Sequence, residues 1–230
     1  MKLVCAVSAF ALSAAMAAPA VAQSAASNKA FFASTREGIA FAPVNGQGFS
    51  DPVTLFFVPG SVKTSNGGAI SATLSMEAAL WTYNVTTAIV NGGKSSSSSR
   101  AAIKAWIEVD GVKMEPGKVV YADRLQATGV TLALTCTVPD TSCVVNGSLI
   151  LELFQATKNA NAFTFFIGPL PPTIHTVEVK AQALIECRGS GGEVITCPND
   201  TLAGYANAST QAAIGKATLM IEEQQNWGKQ

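Results

Sequence analysis

The 230-residue sequence predicts an all-β protein: an antiparallel β-sandwich, immunoglobulin-like or jelly-roll-like, with about ten strands and little helix. Three observations carry that expectation. Apolar and polar residues alternate with period two along most of the chain, which sends successive side chains to opposite faces of a pleated strand. Gly, Pro, Asn and Asp interrupt the alternation at intervals of roughly 8 to 12 residues, the turn spacing of sandwiches and barrels. Asp110-Gly111 lies directly between two such runs, and Asp-Gly favours the tight turn of a two-residue hairpin.

The N-terminus stands outside this grammar. Lys2 is followed by an apolar run from Leu3 to Ala18 and by the small residues Ala20-Val21-Ala22, the layout of a secretory signal peptide. Cleavage before Gln23 is expected, which leaves 23–230 as a single sandwich domain in a secreted, extracellular protein. As a membrane span the run would be short and dominated by alanine.

Taken in order, strands are expected at Ile39–Val44, Val53–Val58 and Glu77–Val90. Asn91-Gly92-Gly93-Lys94 and the serines Ser95–Ser99 offer no apolar group to bury, so 91–100 reads as a mobile, Ser-rich surface loop. The next strand has Ile103, Ala105, Ile107 and Val109 on one face and Lys104, Trp106 and Glu108 on the other. Lys118–Asp123, Thr128–Thr135, Val144–Phe154, Phe163–Ile167, Thr176–Ile185 and Ala217–Glu222 follow the same pattern. Gly168-Pro169-Leu170-Pro171-Pro172 reads as a rigid turn, because Pro cannot donate to a central ladder. Thr201–Ala213 is rich in alanine, but Gly204 limits it to a loop or a single helical turn.

Composition narrows the partners. Charged residues are 13% of the chain, about half the usual share, and the 15 basic and 15 acidic side chains balance. Neither a basic stripe for phosphates nor a cationic amphipathic helix is present, so nucleic acid and membrane are not expected partners of the mature form. The polar end Glu222–Gln230 lacks the hydrophobic tail of a lipid-anchor signal, and free release is expected.

Of the five cysteines, Cys5 belongs to the leader. Cys136 with Cys143 and Cys187 with Cys197 form two local pairs around turn-forming residues, and each pair is expected to staple its own loop as a disulfide. With one histidine and no Cys-x-x-Cys spacing, no metal site is expected, and nothing calls for a cofactor.

The candidate chemistry is sparse. His175, the one histidine, stands at the entry of a strand, where an imidazole most often makes a structural hydrogen bond; no Gly-x-Ser-x-Gly elbow accompanies it. Glu108, Asp110, Asp123, Glu152 and Glu178 are the carboxylates from which a glycoside-cleaving pair could be drawn. Trp81, Tyr83, Trp106, Tyr121 and Trp227 could offer flat rings to sugars. Trp106, Tyr121, Asp123, Arg124 and His175 are the residues expected to contact a ligand. Asn84, Asn146, Asn199 and Asn207 head Asn-x-Ser/Thr sequons; Asn146, Asn199 and Asn207 are the expected glycan acceptors, while Asn84 sits inside a strand.

The function expected from these residues is that of a secreted, non-catalytic binding or extracellular surface module, with carbohydrate or another extracellular protein as partner. The alternative is a polysaccharide-acting hydrolase or lyase that uses two of the five carboxylates. Architecture alone does not choose between them.

Overall fold

The computed structural model describes residues 29–33, 39–41, 49–65, 68–88, 94–131, 149–202 and 205–224. Every regular element among them is a strand: β1 Lys29–Ala33, β2 Ile39–Phe41, β3 Val53–Lys63, β4 Gly68–Ala88, β5 Lys94–Val109, β6 Val112–Lys113 and β7 Val119–Thr131. The second half adds β8 Leu149–Leu170, β9 Ile174–Arg188, β10 Val194–Ile195, β11 Asn199–Leu202, β12 Tyr205–Ser209 and β13 Gln211–Gln224.

Two antiparallel sheets pack together as a β-sandwich. The first has five strands in the order β1-β13-β4-β8, with β2 also on β13. The second has six in the order β10-β9-β5-β6, with β3 also on β9 and β7 on β5. A separate two-stranded ribbon joins β11 to β12. Period-two alternation explains the core directly, since one face of each long strand turns inward. β4 supplies Ile70, Ala72, Leu74, Met76, Ala78 and Leu80, and β13 supplies Ile214, Leu219 and Ile221. Across from them stand Ala101, Ile103, Ala105, Ile107 and Val109 of β5 and Val177, Val179, Ala181, Ala183 and Ile185 of β9. The hairpin after β5 forms as its dipeptide predicts: Asp110 (φ 50°) and Gly111 (φ 81°) both adopt the left-handed conformation that a type I′ turn requires.

Past Leu80 the interior changes character. The inward positions become Thr82, Asn84 and Thr86 on β4, Ser99 on β5, and Gln126 and Thr128 on β7, all buried. The Asn84 amide donates to Gln126 O (2.9 Å) and Thr128 Oγ1 (3.3 Å), and Thr86 Oγ1 lies 2.6 Å from Ser97 Oγ. The sandwich is therefore apolar at one end and lined by hydroxyls and amides at the other.

That end corrects the expected serine loop. Ser95–Ser99 belongs to β5, paired with β7 from Ser95↔Val130 to Ser99↔Gln126 and, at Ser98 and Ser99, with β9 as well. A run without apolar side chains can occupy a strand because β7 pairs with its backbone throughout, β9 joins at Ser98 and Ser99, and the facing layer is itself polar. Residues 91–93 lie outside the described set.

Strands are also longer than their alternation suggests. The described parts of the two runs expected at 118–123 and 128–135 belong to one strand, β7, and the described part of the run expected at 144–154 continues through Lys158-Asn159-Ala160-Asn161 into Phe163–Ile167 as β8. Such a polar stretch persists as strand because β8 is an edge whose residues there meet water. The segment expected as loop or helical turn, Thr201–Ala213, is strand over most of its described residues: Asn199 pairs with Ser209 and Leu202 with Tyr205, and β13 starts at Gln211. Pairing of neighbouring backbone overrides alanine's helical preference here.

Cys187 and Cys197 form a disulfide (Cα–Cα 5.1 Å) that closes the loop carrying β10. Cys136, Cys143, Asn146, Trp227 and the leader Met1–Ala22 lie outside the described residues. Among the described residues no helix is long and apolar enough to cross a membrane.

Candidate functional site

Three polar clusters and one cleft contain the residues that sequence singled out. The first is centred on His175, 1% exposed at the start of β9. Its Nδ1 lies 2.7 Å from Asp110 Oδ2; its Nε2 lies 2.9 Å from Thr64 Oγ1 and 3.2 Å from Pro171 O. Thr64 Oγ1 also donates to Pro171 O at 2.6 Å. Carboxylate, imidazole and hydroxyl thus stand in the order of a nucleophilic triad. Burial decides against that role: Thr64 is also 1% exposed, so no substrate can reach its hydroxyl. The group instead ties the β8–β9 turn to the β5–β6 hairpin. Asp110 accepts a second bond from Thr176 N (2.8 Å), and this amide, followed by His175, holds its carboxyl below the usual range.

The second cluster covers the outer face of the six-stranded sheet. Glu108 and Glu178 are direct partners on β5 and β9, and both hold Lys180 Nζ, at 2.8 and 3.1 Å. Trp106 Nε1 donates to the other oxygen of Glu108 at 2.7 Å, and Thr54 Oγ1 donates to Glu178 at 2.8 Å. Burial works to raise the Glu108 pKa, but the bonds from Lys180 and Trp106 outweigh it and the net shift is downward. The same bond from Glu108 raises Lys180. The two carboxylates therefore neutralise a cation between them; they are not poised as an acid and a base.

Trp106 and Tyr121, expected as ligand contacts, are each 2% exposed. Lys118 Nζ covers the Trp106 ring at 4.3 Å and donates to Gln182 Oε1. Tyr121 points into the core from β7, and its hydroxyl donates to Leu74 O (2.9 Å) in the opposite sheet; burial pushes its phenol pKa up. Both rings are structural. Their alternation on the strand could not show this, because Lys118, which covers Trp106, comes from the turn ahead of β7 and is held by Gln182 of β9.

The third cluster is the pair Arg100–Asp123, a bidentate bridge on β5 and β7 with contacts of 2.9 and 2.5 Å that raises the arginine's pKa. It borders the cleft. There the edges of the two sheets, β7 and β8, meet around a cavity of about 310 Å³ lined by Ala78, Leu80, Asp123, Arg124, Gln155, Thr157 and Asn159, among others. Beyond one end of the cleft the two sheets are laced together: Asn161 Nδ2 donates to Tyr121 O (2.6 Å), and Glu115 and Phe166 exchange backbone bonds of 2.8 Å. Arg124 Nη2 donates to Gln155 Oε1 across the opening. Its guanidinium makes no recorded ion pair among the described residues, since Asp123 is bound to Arg100.

Asp123 and Arg124 line this cleft, whereas Trp106, Tyr121 and His175 do not. Gln155, Thr157 and Asn159 were missed. The signal for them was present: on one face of β8, Leu151 and Leu153 give way at the same period to Gln155, Thr157, Asn159 and Asn161. Glu152 faces outward on β8, opposite Val85. Asn84 is 2% exposed with its amide bonded inside, so its sequon is closed to a glycan. Asn199 and Asn207 lie in the ribbon strands β11 and β12 rather than in loops.

No family model and no curated protein matches the chain. Among solved structures, dimeric latent PorU from Porphyromonas gingivalis aligns over 86% of this chain at 8% identity with a TM-score of 0.28. The VP2 subviral particle of infectious bursal disease virus aligns over 86% at 13% identity, also at 0.28. The Gx strain of that virus aligns over 88% at 14% identity and 0.24. The chain spans 13%, 37% and 37% of those proteins. At such TM-scores they carry no weight for function.

Proposed function

We propose that the protein is exported by a cleaved leader, ending near Ala22, and acts outside the cell as a non-catalytic module that binds carbohydrate in the β7–β8 cleft. One observation carries this reading: a cavity of about 310 Å³ in which Arg124, Gln155, Thr157 and Asn159 offer guanidinium, amide and hydroxyl groups beside apolar Leu80 and Ala78. That volume is at the lower end of small-molecule sites, roughly 300–1,000 Å³, and suits one or two sugar rings. Polar side chains can satisfy sugar hydroxyls while exposed Leu125, also in the lining, offers apolar surface to a ring's C–H face. The Cys187–Cys197 disulfide is compatible with an oxidising compartment, and Asn199 and Asn207 are the proposed glycan acceptors.

Support for a non-catalytic role comes from the engagement of the carboxylates. Asp110 is held by His175 and Thr176, Asp123 by Arg100, and Glu108 and Glu178 by Lys180. The test is a glycan and polysaccharide panel run with the secreted protein alongside an assay for product release. Binding without turnover, weakened about tenfold or more by Arg124→Ala and by Asn159→Ala, supports the module. Turnover abolished by Glu108→Gln or Glu178→Gln would replace it with the hydrolase or lyase.

A further inference from the structure

We propose that the ligand of the β7–β8 cleft is an acidic saccharide, a hexuronate whose carboxylate pairs with the Arg124 guanidinium, an inference that rests on the carbohydrate reading of that cleft. Two of the residues lining the cavity carry charge, Asp123 and Arg124. Asp123 gives both of its oxygens to Arg100, at 2.9 and 2.5 Å. Arg124 therefore stands in the cleft as a cation without an ion-pair partner among the described residues. Its surroundings cannot neutralise it. Arg124 is half-buried, its partner across the ladder is fully buried Ala101 of β5, and Ala78 and Leu80 of the opposite sheet share the lining. A cation drawn partly out of water against apolar neighbours loses hydration that a counter-charge and hydrogen bonds must restore.

The chain supplies one such bond, from Arg124 Nη2 to Gln155 Oε1. A guanidinium presents further N–H donors in a planar fork that matches the two oxygens of a carboxylate, and the ligand is the source of that carboxylate. The rest of the polar lining is neutral. Gln155, Thr157 and Asn159 occupy alternate positions of β8 and so share one face, which sets amide, hydroxyl and amide groups in a row. With its Oε1 engaged by Arg124, Gln155 has its Nε2 left to donate to a ring oxygen. A neutral sugar would use this row and leave the cation unmatched, whereas a hexuronate engages both.

The test is isothermal titration calorimetry of the secreted protein with galacturonate, glucuronate and mannuronate oligomers, each beside its own methyl ester, which removes the charge and keeps the ring. Neutral and sulfated oligosaccharides complete the series. At least one acid is expected to bind, with its ester weaker by about tenfold or more. Raising the salt from about 0.05 M to about 0.5 M should weaken the acid and leave the ester unchanged. Arg124→Gln, which keeps a hydrogen-bonding side chain without the charge, should bring the acid down to the level of its ester. The acid–ester comparison in the wild type reads the proposal by itself if that variant does not fold. Equal binding of acid and ester, a preference for the acid that survives Arg124→Gln, or tighter binding of the sulfated series than of the uronates would each overturn the inference. Binding of neutral oligosaccharides alone also overturns it and leaves the carbohydrate reading standing, whereas binding of no saccharide in the series removes both.

Discussion

His175 Nδ1 lies 2.7 Å from Asp110 Oδ2, which joins the entry of β9 to the left-handed turn that closes β5 and β6. The imidazole is sealed from solvent by the β8–β9 turn, so its role is to hold two connections together. His175→Ala is expected to cost about 2–4 kcal/mol, since it opens a cavity and leaves the Thr64 and Asp110 contacts unmade. Denaturant unfolding reads this. Ligand binding lost at unchanged stability would contradict a structural role.

Acid should destabilise the protein through Asp110 and Glu108. Both carboxyls titrate below their ordinary values in the folded chain, so the unfolded chain binds protons more readily. Their contribution is complete above the unfolded pKa of about 4 and is lost as pH falls through the lower folded value. Lys180, shifted upward, behaves oppositely: its contribution is complete below its ordinary pKa and is lost as pH rises through the raised one. Urea midpoints across the pH range should therefore form a plateau, and Asp110→Asn should flatten its acid limb. An unaltered limb would show that other carboxylates govern it.

Ser99 separates backbone from side chain. It pairs with Gln126 on β7 and Cys187 on β9, so Ser99→Pro removes a ladder donor from a central strand and should cost about 3 kcal/mol or more. Its buried hydroxyl has no partner among the described residues, and Ser99→Ala should leave stability unchanged or raise it by up to about 1 kcal/mol. Thermal unfolding of the two variants should move in opposite directions or differ sharply. A clear loss in Ser99→Ala would reveal a bound water bridging the polar layer.

The Cys187–Cys197 bridge encloses a short loop at the hydroxyl-lined end of the sandwich, with Cys187 2% exposed. Replacing both cysteines by alanine should lower stability by about 2–3 kcal/mol while keeping the strand-rich circular dichroism spectrum. Loss of the folded spectrum at room temperature would show that the bridge is needed for folding itself.

Much of the fold was legible because period-two alternation is a local property. The inward row Ile103, Ala105, Ile107, Val109 and the Asp110-Gly111 turn were readable from neighbouring residues alone, and so was the Cys187–Cys197 staple. The serine run was misread because its signal was side-chain polarity, whereas its place in β5 depends on backbone pairing with β7 along the run and with β9 at Ser98 and Ser99. Whether Trp106 covers the sheet or meets a ligand was not legible for a related reason: Lys118, from the turn ahead of β7, lies over its outward-pointing ring.

By itself, then, the order of residues determined that this chain builds strands, where several of them turn, which faces become apolar, and that one local cysteine pair closes. Only the tertiary structure decided which strands are central and which are edges, and hence that His175 is sealed and that Arg124 shares a cleft with Gln155. It also decided that β8 meets solvent along most of its length. The physical reason is that burial and pairing are set by elements far apart in the chain, while alternation and turn chemistry are set by adjacent ones.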